Sequence, residues 1–240
     1  MPLIANLGLV SFNHGLTYED IGRIEQAVHP DVFALHLNAL QEAIQEGGDT
    51  DFRGLWTHLR EIARRCRLPL LVKECGGGIA PALVARLAEL GVAYVDISGS
   101  DGTSWAAVEG RVRGDEPLGE LFKDFGLPTA WVLERLPAVL GDRRSRRVKI
   151  IAGGGVRNGL QAAKALALGA DYVSVARPFL VAAEESADAA VAVGERIIHE
   201  LRLAMFLAGA ARIDRLDASL LMREPADAPL LQPAPDPGHE

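Results

Sequence analysis

The chain has 240 residues, of which 49% are hydrophobic and 24% are charged, so it has enough apolar side chains to form a folded core. Its formal net charge is −7, which argues against a general surface for nucleic acid or for an anionic membrane. The two cysteines form no disulfide framework, and no apolar run reaches the roughly 18 residues of a membrane span. We therefore expect a cytoplasmic protein that binds neither nucleic acid nor membrane.

Short aliphatic runs alternate with longer amphipathic segments, which predicts strands alternating with helices. In chain order the predicted strands are Leu3–Leu7, Val32–Leu37, Leu68–Glu74, Tyr94–Ile97, Val148–Ala152 and Tyr172–Ala176. The first predicted helix begins at Thr17, where Asp20 completes a weak capping box. The later predicted helices are Asp51–Cys66, Ile79–Leu90, Pro128–Leu140 with a kink or end at Pro137, Gly159–Leu168, and the segment up to about Ala211. The segment 98–127 is too long for an ordinary connection.

This alternation predicts a parallel sheet covered by helices, either an open doubly wound sheet or a (β/α)8 barrel. No Gly-x-Gly-x-x-Gly follows the first strand, which weakens the dinucleotide-binding alternative. Polar residues instead follow almost every strand, as at the catalytic face of a barrel. Because only six strands are recognisable, we predict an incomplete TIM barrel over residues 1–222 and a disordered tail over residues 223–240.

A glycine-rich turn gives the strongest local signal. Gly153, Gly154 and Gly155 lie between a predicted strand and a helix, and Ala176 and Arg177 occupy the same place after the next strand. The loops after the last two strands of a barrel commonly bind phosphate, because glycine lets the backbone approach and a helix N-terminus supplies free N–H groups. The alternative is two turns shaped by steric need alone, and we favour phosphate binding.

A second polar cluster follows the second strand. His36 and Asn38 are two residues apart on an extended segment and should share a face. Gln41 and Glu42 follow on the loop, and the Glu42 carboxylate could hold Mg²⁺, which prefers oxygen ligands. The alternative is an ordinary core histidine at position 36. A cluster this polar at a strand end favours a functional role.

Two further segments point to a ligand. Lys73 ends an apolar strand, so it needs an anion, a cavity, or a structural salt bridge with Glu74 or Asp96. The segment Ser98–Trp105 is polar and glycine-rich. It could donate hydrogen bonds to a polar ring or a phosphate, or it could be a solvent-exposed loop.

Several motifs appear in an order that resembles a known family. They are Ile4–Gly8, His36–Glu42, Val72–Glu74, Gly102–Trp105, Gly153–Gly159 and Ala176–Phe179, with a matching C-terminal helix around Glu200–Gly209. Together they resemble the type 2 isopentenyl-diphosphate isomerases, an FMN-dependent family, from about residue 3 to about residue 215. The glycine and Ala-Arg-Pro loops also resemble those of the FMN-dependent hydroxy-acid oxidases.

This resemblance implies interconversion of isopentenyl and dimethylallyl diphosphate with reduced FMN, NADPH to reduce it, and Mg²⁺. The protein would then contribute binding, orientation and electrostatics. The resemblance implies flavin contacts by Asn6, Lys73, Ser98 and Thr103, and a phosphate cradle made by Gly153, Gly154, Gly155, Ala176 and Arg177. It also implies that His36, Asn38 and Gln41 face the substrate as catalytic residues and that Glu42 holds Mg²⁺ against the diphosphate.

The six strands match the third to the eighth strand of that family, so two strand–helix units are absent. We therefore expect open sheet edges and poor solubility or association into a homo-oligomer. One alternative function is that of an FMN-dependent 2-hydroxy-acid oxidoreductase, which would need a base, usually histidine, opposite the flavin. No histidine is close in sequence to Ser98 or Gly153. The other alternative is a non-catalytic flavin-binding fragment.

Overall fold

The computed structural model describes residues 2–222, so the predicted disordered tail at 223–240 lies outside the described residues. Six parallel strands form one sheet in chain order. They are β1 (Ile4–Gly8), β2 (Val32–His36), β3 (Leu70–Lys73), β4 (Tyr94–Asp96), β5 (Lys149–Ala152) and β6 (Tyr172–Val173). This parallel order confirms the predicted α/β architecture and its six strands.

Ten α-helices cross over between the strands or follow them within residues 2–222. They are α1 (Tyr18–Val28), α2 (Ala39–Ile44), α3 (Leu55–Arg65), α4 (Pro81–Glu89), α5 (Trp105–Arg113), α6 (Glu116–Leu121), α7 (Thr129–Leu140), α8 (Gly159–Ala167), α9 (Arg177–Glu185) and α10 (Ala187–Leu207). Short 3-10 helices occupy Leu9–His14, Ile213–Arg215 and Ala218–Leu220. None of the helices in the described part of the chain is both long enough and apolar enough to cross a bilayer.

The two faces of the sheet differ in what covers them. Because side chains alternate along a strand, Phe33, Val72 and Val95 project to one face, where they are fully buried against helical residues such as Ile62 and Leu136. We call this the outer face. The opposite, inner face carries polar residues at its carboxyl end, where the strand register aligns Gly8 with His36, His36 with Lys73 and Lys73 with Asp96.

The sheet does not close on itself. Within the described residues, β1 pairs only with β2 and β6 pairs only with β5. Apolar side chains at these two edges are open to solvent, with Ile4 48% exposed and Tyr172 51% exposed. Helix α10, which packs on α8 and α9, has no buried residue, and its Phe206 is 79% exposed. The expected open edges are therefore present.

The segment 98–127 contains two helices that we did not predict. Ser104 caps α5 by accepting a hydrogen bond from the N–H of Ala107, and Asp115 caps α6 by accepting one from Leu118. The two helices pack closely because Gly110 faces Gly119, where an added Cβ would lie 2.6 Å from the Gly119 Cα. Both caps could have been predicted from the sequence, because Ser and Asp are common N-cap residues. The Asp cap of α6 is also followed by a proline in the first turn of the helix.

Two predicted boundaries were wrong by three residues or more. The predicted helix at Asp51 begins only at Leu55, because Gly54 has a φ of +73°. Helix α7 ends at Leu140, as predicted, and Pro137 does not end it. Strand β6 ends at Val173, because an edge strand is held from one side only, although the Ser174 N–H still donates to the Ala152 carbonyl over 2.9 Å.

Candidate functional site

A cleft opens where the carboxyl ends of β3, β4, β5 and β6 meet. Its volume is about 360 Å³, which lies within the range of small-molecule sites. The predicted residues that line it are Lys73, Ser98, Thr103, Gly154, Gly155, Ala176 and Arg177. Gly153 is buried, directly before Gly154 in the same turn. Residues from four strand ends are thus brought to one cavity, as expected for the catalytic face of a barrel.

The glycine turn after β5 packs against the loop after β4. An added Cβ on Gly153 would lie 2.1 Å from Ser98 Oγ, and one on Gly154 would lie 2.4 Å from the carbonyl oxygen of Gly99. Gly154 and Gly155 also have positive φ angles of +68° and +96°. Steric need therefore requires these glycines. The same turn leaves the N–H groups of Gly154 and Gly155 without an acceptor among the described residues, so they are free for a ligand.

The two helix N-termini beside the cleft differ in whether their N–H groups are already used. At α8 the Glu200 carboxylate accepts a hydrogen bond from Gly159 N–H over 2.8 Å, so a carboxylate of the chain itself occupies that end. At α9 the N-cap residue Ala176 offers no side-chain acceptor, and the exposed Arg177 follows it. An anion in this cleft therefore meets the free, positive end of α9 rather than that of α8.

Arg157 adds a second positive charge to this end of the cleft. Its guanidinium donates to the carbonyl oxygens of Gly155 and Asp101, both over 3.2 Å, and the residue lines the cleft beside Arg177. We did not single it out from the sequence, although it lies inside the glycine-rich motif. Its position is set by the β4 loop, which the sequence pattern does not place.

The inner face supplies a lysine and a carboxyl group to the cleft. Lys73 and Asp96 are register partners on adjacent strands and both line the cavity. Lys73 makes no ion pair within 4.0 Å with Glu74, Asp96 or any other described acid, so the salt-bridge alternative is not realised. Ser98 donates to Asp96 Oδ1 from its N–H over 3.0 Å and from its hydroxyl over 2.6 Å. Towards a ligand, the Ser98 oxygen can therefore act as an acceptor.

A smaller, mainly apolar pocket of about 20 Å³, which has room for about one water, adjoins the cleft. Asn38, Gln41 and Phe125 line it, and it shares a wall with the cleft at Thr103 and Trp105. Cys75 also lies on the shared wall, and burial raises the pKa of its thiol to about 11. The thiol is therefore protonated at neutral pH and is a poor nucleophile.

The polar groups of this pocket form a chain of hydrogen bonds. Gln41 Nε2 donates to Glu109 Oε1 over 2.9 Å, and Gln41 Oε1 accepts from Asn38 Nδ2 over 3.2 Å. Asn38 Oδ1 is buried without a hydrogen-bond partner among the described residues. A buried orphan acceptor is costly unless a ligand donates to it. Sequence reasoning missed Glu109 because it lies on α5, 68 residues from Gln41.

The predicted shared face of His36 and Asn38 was wrong. The strand ends at His36, and Asn38 has a φ of +47° as the N-cap of α2, a conformation that asparagine tolerates better than most residues. Gln41 and Glu42 therefore lie on a helix rather than a loop. His36 instead contacts Asn6, with 3.3 Å between His36 Nδ1 and Asn6 Oδ1, and neither residue lines the cleft.

The surroundings of His36 keep its imidazole neutral. Burial lowers the pKa of His36 and the charge of Lys73 lowers it further, while Glu42 opposes both. A neutral imidazole keeps one nitrogen as donor and one as acceptor.

Glu42 lies apart from the cleft. Its Oε2 accepts hydrogen bonds from Asp49 N–H and Gln45 Nε2, both over 3.0 Å, which fixes the turn after α2. Over residues 2–222 no three side chains of the types that bind metals come together. Mg²⁺ commonly takes one carboxylate and completes its shell with water and substrate phosphates. Glu42 Oε1, which carries no hydrogen bond from a described residue, fits that pattern.

Comparison with sequence relatives gives a consistent picture. The family model for FMN-dependent dehydrogenases matches residues 24–223. An isopentenyl-diphosphate delta-isomerase of a Synechococcus species is 44% identical over 208 residues, which cover 85% of this chain and 58% of that protein. The protein of the same name from Stutzerimonas stutzeri is 39% identical over 225 residues, which cover 92% and 63%. This chain thus spans about three fifths of the length of these relatives.

Solved structures share the fold. A flavocytochrome b2 with pyruvate bound matches with a TM-score of 0.67 at 21% identity, covering 90% of this chain and 53% of that one. A lactate oxidase from Pediococcus acidilactici matches with a TM-score of 0.63 at 22% identity, covering 89% and 58%. At such identities the likeness shows the α/β TIM-barrel fold alone, of which residues 2–222 form six strands.

Proposed function

The chain belongs to the FMN-dependent dehydrogenase family, and from that membership we propose that it binds FMN and interconverts isopentenyl and dimethylallyl diphosphate. The names of its sequence relatives support this substrate. The observation that carries the proposal is the cleft at the carboxyl ends of β3 to β6, whose lining of glycine backbone and two arginines suits a phosphate-bearing ring.

The larger cleft fits FMN. Its phosphate would lie at the free N–H groups of Gly154, Gly155 and Ala176, beside Arg157 and Arg177. Lys73, Ser98 and Thr103, which also line the cleft, would contact the ring. An uncapped helix N-terminus and two guanidinium groups together are sufficient to bind a phosphate.

The smaller pocket, about 20 Å³ in this structure, would have to widen to admit the hydrocarbon part of the substrate. Trp105, Phe125 and Leu40 give it apolar walls, while Asn38 and Gln41 offer polar atoms at its rim. The orphan Asn38 Oδ1 calls for a donor, such as a water or metal-bound water that accompanies a diphosphate. His36 would donate to the diphosphate from the neighbouring strand end, and Asn6 would contact the flavin.

Isomerisation removes a proton from one carbon and adds one to another, with no net oxidation. Bound and reduced FMN would supply an electron-rich ring that exchanges this proton. Glu109 accepts a hydrogen bond from Gln41 and so orients the Gln41 amide at the pocket. The Glu109 carboxylate would thereby hold the Gln41 amide in one orientation beside the substrate.

The proposal also includes a metal ion, a reductant for the flavin and an oligomeric state. Glu42 would hold Mg²⁺ against the diphosphate, and NADPH would reduce the flavin. Exposed apolar side chains, Ile4 and Tyr172 at the open edges and Phe206 on α10, favour association into a homo-oligomer. A cytoplasmic location fits two free cysteines, Cys66 and Cys75.

Two measurements test the proposal on the purified chain. Retention of FMN during gel filtration tests whether the cleft binds the flavin. Conversion of isopentenyl diphosphate with reduced FMN and Mg²⁺ tests the activity, with omission of Mg²⁺ as the control. Retention with conversion supports the proposal. Retention without conversion indicates a non-catalytic flavin-binding fragment, which the open sheet edges make the second candidate.

Absence of retention contradicts the proposal. Turnover of a 2-hydroxy acid would instead indicate an oxidoreductase. That activity needs a base opposite the ring, and none of the described residues lining either cavity is a histidine.

A further inference from the structure

Among the described residues, Asp96 is the one carboxyl group that the inner face of the sheet presents to the cleft from within a strand. Its Oδ1 is held by the Ser98 N–H and hydroxyl. Its Oδ2 receives no hydrogen bond from a described residue, and the side chain lines the cavity. The proposed catalytic scheme does not use this group.

The groups around Asp96 compensate the negative charge of its carboxylate poorly. On β3 and the loop that follows, Lys73 is its register partner and Glu74 and Cys75 come next. On β5 the facing position is Ile151, which carries no charge. Burial raises the pKa of the Asp96 carboxyl, while Ser98 and then Lys73 oppose that shift. The charge of Asp96 therefore responds readily to any new charge in the cleft.

We propose that Asp96 is a proton-holding group that takes up one proton when an anionic, reduced flavin occupies the cleft and releases it when the flavin is oxidised and neutral. This inference rests on the proposed binding of FMN. A negative ring next to Lys73 competes with the Asp96 carboxylate for the same positive charge. Protonation of Oδ2 removes that competition without disturbing the Ser98 hydrogen bonds to Oδ1.

Protons and electrons balance in this scheme. Two electrons from dithionite or a reduced nicotinamide, together with one proton from water, convert the oxidised ring into the anionic reduced ring. A second proton from water enters the Asp96 carboxyl. The couple therefore takes up two protons for two electrons, although the ring itself gains only one.

The test is the slope of the flavin midpoint potential against pH, measured on the FMN-loaded chain at neutral to mildly alkaline pH. One proton taken up by a two-electron couple gives about 30 mV per pH unit, and two protons give about 60 mV. We expect the steeper slope for the wild-type chain while the absorption spectrum shows the anionic reduced ring. Asp96→Asn should give the shallower slope, and Asp96→Glu should restore the steeper one.

Glu74→Gln is the matched control. It removes an equal charge from the same cleft, yet Glu74 Oε2 is already held by the N–H groups of Cys75 and Gly77. We expect it to keep the steeper slope. A wild-type slope of about 30 mV per pH unit with an anionic spectrum overturns the inference, even if no variant folds. Equal slopes for wild type and Asp96→Asn also overturn it. Failure to retain oxidised FMN, by contrast, refutes the proposed function itself.

Discussion

The outer and inner faces of the sheet come from the same strands and differ in how completely they are covered. On the outer face Phe33, Val72 and Val95 have no exposed surface. On the inner face Ile4 and Tyr172 are about half exposed at the two edges, while Leu71 in the centre is buried. The helices thus secure the outer face along all six strands, whereas the inner face depends on neighbouring strands and is covered only in the middle.

The two faces therefore have different roles, since the outer face stabilises the fold and the inner face contributes to ligand binding. The outer face holds the strands in register and thereby positions their carboxyl ends. The inner face carries Lys73, Asp96 and His36 into the region of the cleft. Substitutions on the outer face should therefore act on folding, and substitutions at the carboxyl end of the inner face should act on ligands.

The largest expected effect compares one aromatic residue from each face. Phe33→Ala removes a fully buried ring and should lower the free energy of unfolding by about 3–5 kcal/mol. Tyr172→Ala removes a ring that is 51% exposed and should cost about 1 kcal/mol or less. Urea unfolding followed by circular dichroism measures both. Equal losses would show that the inner face is covered in solution.

The next prediction concerns the opposite end of the sheet, at the start of β5 and β6. Asp171 accepts hydrogen bonds from Arg146 over 2.8 Å and from Ile150 N–H over 2.9 Å, with its side chain only 8% exposed. Asp171→Asn leaves buried arginine charge uncompensated and should cost about 3 kcal/mol. The matched control is Asp214→Asn, whose partner Arg212 lies on the surface, and it should cost under about 1 kcal/mol.

Asp171 also predicts a pH dependence. Burial raises the pKa of its carboxyl, but the Ile150 N–H and Arg146 outweigh that effect, so the folded pKa lies below 3.8. Its stabilisation is therefore complete above the unfolded pKa and is lost as pH falls through the lower, folded value. Wild type should lose stability in that acidic range more steeply than Asp171→Asn. Parallel curves of unfolding free energy against pH would contradict this assignment.

A smaller effect is expected at the positive end of the cleft. Arg177 is exposed and makes no hydrogen bond or ion pair with other described residues, so Arg177→Gln should fold normally. Loss of a charge-assisted hydrogen bond of about 1.5–3 kcal/mol should weaken FMN binding by roughly 10- to 100-fold in a fluorescence titration. Arg64→Gln, on the surface of α3, should leave FMN binding unchanged. Equal FMN affinity of the two variants would show that the phosphate binds away from Arg177.

The variant Gly154→Asp would test the phosphate site less clearly than Arg177→Gln does. An added carboxylate would repel phosphate, but its Cβ would lie 2.4 Å from the carbonyl oxygen of Gly99. Loss of binding by that variant would not distinguish repulsion from a displaced loop.

The smallest predicted effect concerns the hydrogen bond between Gln41 and Glu109. Glu109→Gln keeps the size of the side chain and weakens the bond by about 1 kcal/mol, so the rate of isomerisation should fall roughly fivefold while FMN affinity stays constant. Glu116→Gln, at the exposed start of α6, is the control. An unchanged rate for Glu109→Gln would show that this carboxylate does not orient Gln41 during the reaction.

The sequence predicted the parts of the fold that depend on regular patterns. Aliphatic runs such as Leu70–Lys73 predicted the strands, and the polar residues after them predicted which edge carries the cleft. The pattern could not predict the turn at Asn38, since its left-handed conformation depends on how α2 packs. It also missed Glu109, because its partner Gln41 meets it only after folding. It named Asp96 only as a salt-bridge partner of Lys73 and did not place its carboxyl in the cleft.

The two free sheet edges differ in chemical identity, since one belongs to β1 and the other to β6. If copies of the chain join edge to edge in the same parallel sense, β6 of each copy must meet β1 of the next. Such a contact is head-to-tail rather than two-fold symmetric, so it ends in a closed ring or grows into a filament. Light scattering that rises with protein concentration and stops at a fixed mass would distinguish the ring from the filament.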